Sequence, residues 1–362
     1  MLTGFPHYPK GRLYPGYRVR SVQREAVDGI AVVRVPHFPF HGRSRALRVL
    51  NHVSFALSSR VIGTFACETP DVVCRFSGSC HDRVTGSRPS SLATGMVGNR
   101  YVLGVIDRWC RLVSGSASHV VVLSPGFKEL LAERGLGPDN VSVVYNWCEE
   151  EVIRPHERDE GLRADMGLQG RFNFMFAGNM GAAQGLETVL AAARIVEARA
   201  PNVQFVFVGQ GVESENLKRS ASAAGLSDVK FLPGQPHSSI ARTLPQADVL
   251  LVHAKPDPLF RITVPSKTQA YLAVGRPILM AVAGDAAALV TVSGGGCVCP
   301  PGEPEALAHV VCQMQAMPES TLRAMGERAA SYYREHLSLS SGGAKFSEIF
   351  RRVHGAATRT DS

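Results

Sequence analysis

At 362 residues and 45% hydrophobic content, the chain has material for about two domains with buried cores, which excludes an intrinsically disordered protein. Its net charge of +8 is confined to one half: residues 1–148 hold 18 Lys and Arg against 9 Asp and Glu, leaving 21 against 22 for residues 149–362. No run of about 18 apolar residues is present to span a membrane, and MLTGFPHYPKGRLYPGYR has no apolar export core, so a cytoplasmic location is expected.

In chain order, residues 42–63 (GRSRALRVLNHVSFALSSRVIG) predict an amphipathic helix. Arg43, Arg45, Arg48 and Arg60 run alongside Leu47, Leu50, Val53, Phe55 and Leu57. Two readings stand for it: a face resting on an anionic membrane surface, or a helix packed on its own domain with solvated arginines. Nucleic acid is not expected as a partner of the basic half, which contains no recognisable binding module and no row of aromatics. Residues 74–92 (CRFSGSCHDRVTGSRPSSL) show no apolar periodicity and read as irregular. Cys67, Cys74, Cys80, Cys110, Cys148, Cys297, Cys299 and Cys312 form no CxxC pair, so reduced structural thiols are expected, with no metal and no cofactor.

From residue 172 onward the pattern is regular. FNFMFAG (172–178), VQFVFVG (203–209), VKFLPG (229–234), DVLLVHA (248–254) and PILMAV (277–282) read as strands, each followed by a helix-length segment, which predicts a parallel doubly wound sheet. Ligands of such sheets bind beyond the carboxyl ends of the strands, so the loops after Phe176, Val208, Leu232 and Val252 should meet in one crevice. The first of these loops, GNMGAAQGLETV, carries Gly178, Gly181 and Gly185 before a helix near Leu186. Its spacing departs from the GxGxxG dinucleotide fingerprint, and no acidic residue ends the next strand, which disfavours a nicotinamide dehydrogenase. Residues 253–279 read as an irregular loop and a helix opening with Pro265, Ser266 and Lys267 and closing at Gly275. The free N–H groups of that opening make an anion site, and a phosphate fits it. His253, after an apolar strand, reads as a core residue.

FAGNMGAAQGLETVLAAA, FVGQGVESENLK, VKFLPGQP and KPDPLFRITVPSKTQAYLAVGRPIL stand in the order and at the spacing seen in retaining glycosyltransferases of family 4. TGFPHYPKGRLYPGYR, DGIAVVRVPHFPFH, ASHVVVLSPGFKELLAERG and VSVVYNW in the first half are similar to segments of the same family. The chain resembles these enzymes from Thr3 to about Val353, and most closely the bacterial surface-polysaccharide transferases of the N-acetyl-L-fucosamine transferase type.

The resemblance implies an α/β fold of two Rossmann-like domains (GT-B) with the first incomplete. Its divisions would be an acceptor-side domain at 1–165, a donor nucleotide-sugar domain at 166–340, and a crossover helix and tail at 341–362. It implies a nucleotide-sugar donor, UDP-linked, and a polyprenyl-diphosphate-linked saccharide acceptor at the inner membrane face. Gly178, Asn179, Gly181 and Gly185 would cover the donor diphosphate, with Gln184 where many relatives carry a lysine. Lys267, Lys255 or Arg261 would balance the leaving group, Lys267 first among them, with Pro265 and Ser266 beside it. Gly209 and Gly211 would line the crevice, and Gln235 would lie near the base.

Three departures accompany the match. The paired glutamates of many members fall at Ile262 and Ala270. The family's opening strand–turn–helix–strand is not found before TGFPHYP. About 40 family residues, which include a Trp-Pro-Glu sequence, are replaced by 74–92, read either as translation from another frame or as a solvated loop. A donor-binding remnant that transfers nothing, and a sugar-nucleotide 2-epimerase, are the competing expectations.

Overall fold

The computed structural model describes residues 1–6, 13–40, 45–66, 108 and 117–360. Residues 74–92, Arg43 and the cysteines at 67, 74, 80 and 110 lie outside the described residues. The chain divides into two compact units, Met1–Ser77 with Ala356–Ser362, and Gly78–Gly355.

In the first unit, β1 (Leu2–Gly4) runs parallel to β3 (Ile30–Val35), and β2 (Gln23–Val27) pairs antiparallel with β3 through a tight turn at Asp28 and Gly29. Both turn residues have positive φ, the conformation that Asp-Gly supplies in a two-residue hairpin. Phe5, Val32 and Val35 are buried. The helix Arg45–Ala66 packs on β1 and β3, and its Asn51 side chain donates to the Phe40 carbonyl at 2.9 Å. The expected amphipathic helix is thus present over this range. Leu57, Val61 and Phe65 on it are 61%, 60% and 87% exposed, too open for a core face.

The second unit is built on six parallel strands: β6 (Phe172–Ala177), β7 (Val203–Val208), β8 (Val229–Leu232), β9 (Val249–His253), β10 (Ile278–Ala281) and β11 (Gly296–Val298). Their order is β11-β10-β9-β6-β7-β8, so the chain starts in the middle, winds one way to β8 and returns past β6 to wind the other way. This is the doubly wound arrangement, and its switch point lies between β6 and β9. The strands are nearly continuous apolar runs because both faces are covered. Met175, Val206, Leu250 and Val252 pack with Tyr271 and Leu272 on one face, and Phe174, Phe176, Phe205 and Phe207 with Val189, Ala193 and Val196 on the other.

A separate parallel pair, β4 (Val120–Val122) and β5 (Val141–Val143), belongs to the same unit, joined through the helix Pro125–Glu133. No helix among the described residues is long and apolar enough to cross a membrane.

Candidate functional site

The expected convergence of loops at the carboxyl ends of the strands is observed. Beyond β6 and β7 the backbone continues a ladder: Gly178 N–H donates to Val208 O at 2.9 Å, Met180 N–H to Gln210 O at 3.0 Å, and Gly209 N–H to Leu232 O at 3.1 Å. The loops approach so closely that a Cβ at Gly209, whose φ is +144°, would lie 2.0 Å from the Gly178 carbonyl oxygen. At Gly211 a Cβ would lie 2.4 Å from Met180 O and 2.7 Å from Asn179 Oδ1. These glycines are required by that approach, and Gly178 and Asn179 are exposed at the switch point. Gly234 abuts Gln210 and Gly209, with Gln235 exposed beside it.

On the other side of the switch point, the helix Ser266–Val274 begins one residue later than expected: Pro265 caps it from outside, with ψ 134°, and Gly275 closes it. No side chain caps its start, Ser266 is exposed, and Thr268 N–H donates to Pro265 O at 2.8 Å. Lys267 turns back toward β6. Its Nζ stands 3.6 Å from the centre of the Phe176 ring, 3.3 Å from where a Gly178 Cβ would be, and it is buried without any hydrogen-bond partner. Burial pulls its pKa from 10.5 to about 7. The ring face offsets part of the desolvation, but no carboxylate does.

A contact not anticipated from sequence sets this helix in place. The Tyr271 hydroxyl, fully buried, accepts from Ala177 N–H at 2.9 Å and donates to Ala177 O at 3.2 Å, tying the helix to the last residue of β6. Nothing in the local pattern signals it beyond a polar tip on an apolar helix face.

The other expected cations are placed less centrally. Lys255 pairs with Glu187 at 3.3 Å, both groups about half exposed. Arg261 is exposed on a short helix, Pro258–Arg261, within what reads in sequence as irregular loop, and it is the Arg261 backbone that packs against Gly284. Gln184 folds back on its own turn, its Oε1 accepting from Gly181 N–H at 3.1 Å. Gly185 then takes φ +58° to start the helix Leu186–Arg199.

Where relatives would carry the first glutamate, Ile262 fills the space against Gly126, whose Cβ would fall 2.5 Å from Ile262 Cγ2. The Ile262 carbonyl accepts from the Ser124 hydroxyl, and Asp285 accepts from Gly126 N–H at 2.8 Å. This position is a packing contact, with no carboxylate facing the crevice from it.

Comparison with known proteins places this geometry. WbjE of Pseudomonas aeruginosa, provisionally named a glycosyltransferase, is 27% identical over 244 residues, 66% of this chain and 60% of its own length. The chain thus spans about three fifths of that relative. WcaI of Escherichia coli (strain K12), whose name assigns it provisionally to colanic acid biosynthesis as a glycosyl transferase, is 26% identical over 306 residues, 76% of this chain and 73% of WcaI. Among solved structures, Anabaena Alr3699/HepE in complex with UDP superposes with a TM-score of 0.62 at 18% identity, covering 75% of this chain and 71% of HepE. That likeness establishes the fold, which is that of the GT-B glycosyltransferases. Residues 171–316, which carry every loop of the crevice, match the family model described as "Glycosyl transferases group 1".

Proposed function

We propose that this chain is a retaining glycosyltransferase that takes a sugar from a UDP-linked donor and passes it to a polyprenyl-diphosphate-linked saccharide in surface polysaccharide assembly. The observation that carries the reading is the buried, unpartnered Lys267 ammonium at the switch point, beside the open N-terminus of the Ser266–Val274 helix. A diphosphate is the ligand that satisfies both. Its oxygens take hydrogen bonds from the helix N–H groups and a charged one from Lys267, and the charge that grows on it as the sugar bond breaks is held by groups already in place. The glycine turn Gly178–Gly185 covers it, with the Gln184 amide as a neutral donor. Gln235 and the backbone at Gly209 and Gly211 flank the base.

We assign donor binding to 166–340, with the crossover helix at 341–362, and acceptor binding to 1–165. The exposed Leu57, Val61 and Phe65 of the Arg45–Ala66 helix are suited to an anionic membrane surface, where a polyprenyl acceptor resides.

Calorimetric titration with UDP and a panel of UDP-sugars tests the donor reading. Saturable binding of UDP and of one UDP-sugar is expected, and absence of both overturns it. Product analysis with a lipid-linked acceptor, reading the anomeric configuration by NMR, then separates a retaining transferase from a donor-binding protein that transfers nothing.

A further inference from the structure

A buried polar side chain beside the glycine turn has no part in that reading. His253, the last residue of β9, is 2% exposed, and its Nδ1 lies 2.6 Å from the Gln184 carbonyl oxygen. A carbonyl only accepts, so the ring carries its proton on Nδ1 and its lone pair on Nε2, which is buried and without a partner. Burial holds the ring neutral by lowering its pKa from the ordinary histidine value.

That bond lands on the residue that organises the glycine turn. The Gln184 side chain holds Gly181 N–H, and Gly185 next to it makes the left-handed step into the following helix. A Cβ at Gly185 would come within 3.3 Å of His253 Cε1 and 2.9 Å of Lys255 Cγ, so turn and ring are in close contact. Lys255 N–H adds a second tie, to Ala183 O at 3.0 Å.

We propose that His253 is a positioning residue for donor binding: its Nδ1–H fixes the Gln184 carbonyl and so presents the Gly181–Gly185 turn, with the Gln184 amide, to the diphosphate. The assignment rests on the donor-diphosphate reading above. Packing and positioning make opposite demands on substitutions. A phenyl ring, one ring atom larger, fills the space and donates nothing. An asparagine places its amide N–H about where Nδ1 stands and leaves the rest of the space empty.

The full-length protein, His253→Phe and His253→Asn are compared in three measurements: melting temperature, ligand-free hydrogen–deuterium exchange over residues 178–188, and UDP affinity by calorimetry. The phenylalanine variant should melt near the parent, exchange faster at 181–185 and bind UDP about tenfold more weakly. The asparagine variant should melt lower yet bind within about threefold of the parent, because the hydrogen bond is kept. His253→Leu stands in for the phenylalanine variant if that fails to fold. UDP affinity that follows melting temperature across the series overturns the assignment, as does unchanged turn exchange in the phenylalanine variant. A parent protein that binds no UDP overturns the donor reading and the assignment with it, an outcome visible before any variant is made.

Discussion

Lys267 is the residue on which the functional reading turns, and its environment makes the reading testable by pH. An amine buried without a partner loses its proton at about pH 7, whereas the same amine against a diphosphate keeps it. Above about pH 7, each UDP bound must therefore bring a proton with it, and affinity should fall as pH rises, by up to about tenfold per unit. Below that pH the dependence on this group disappears. Titrations at several pH values check this, with Lys267→Met as the control for the titration of UDP itself. That variant should bind about tenfold or more weakly at neutral pH and show no slope from the lysine.

Folding is linked to the same group. Unfolded lysine holds its proton to about pH 10.4, so the destabilisation by the buried ammonium is complete below about pH 7 and is relieved as pH rises from about 7 to about 10.4. Lys267→Met should accordingly raise the melting temperature at pH 7 while weakening UDP. A fall in both would place the lysine in a structural role.

At the scale of elements, the Ser266–Val274 helix, packed on the sheet through Tyr271 and Leu272, is hydrogen-bonded to the end of β6 by the Tyr271 hydroxyl. Tyr271→Phe removes it and leaves the buried Ala177 N–H without a partner, at a cost of about 1–3 kcal/mol. Because Ala177 precedes Gly178 and the helix carries Lys267, UDP affinity should fall as well, by about threefold to thirtyfold. Thermal unfolding and titration on one sample check both, and a stability loss with unchanged affinity would detach the helix from the site.

This element also shows what could be read in advance. Its start within one residue and its stop at Gly275 were legible, because proline and glycine act through the local backbone. So were β6 to β10, as apolar runs bounded by turns, and the meeting of their loops, which follows from winding order. The hydrogen bonds of Tyr271 and His253 join residues 94 and 69 apart, and no local pattern encodes such pairs. The three-residue β11 and the four-residue helix at Pro258 are too short to show a period. Of the three candidate cations, only burial in the folded chain separates Lys267 from Lys255 and Arg261.

Across the second unit as a whole, the two ends of the sheet have different tasks. The carboxyl ends hold glycines, an unpaired amine and open backbone, all of which cost stability. The amino ends hold a charge cluster centred on Asp248. Asp248, just before β9, accepts from Asn173 N–H at 2.8 Å and from the Asn173 amide at 3.1 Å, and pairs with Arg158 at 2.6 Å and Arg163 at 3.6 Å. It joins β6 and β9 at the end opposite the switch point.

Asp248→Ala would take the carboxylate from two guanidinium groups, which keep only backbone carbonyls at Ala247, Gln246 and Leu168 and the exposed Glu160, and would leave the Asn173 N–H without its acceptor. Removing one partner of such a cluster costs about 3–5 kcal/mol, a drop in melting temperature of roughly ten degrees for a unit of this size. At a temperature well below the new midpoint, UDP affinity should stay within about twofold of the parent, since no donor contact is proposed at that end. If affinity fell in proportion to stability, strand spacing at the amino ends would be setting the crevice geometry, and the division of tasks between the two ends of the sheet would not hold.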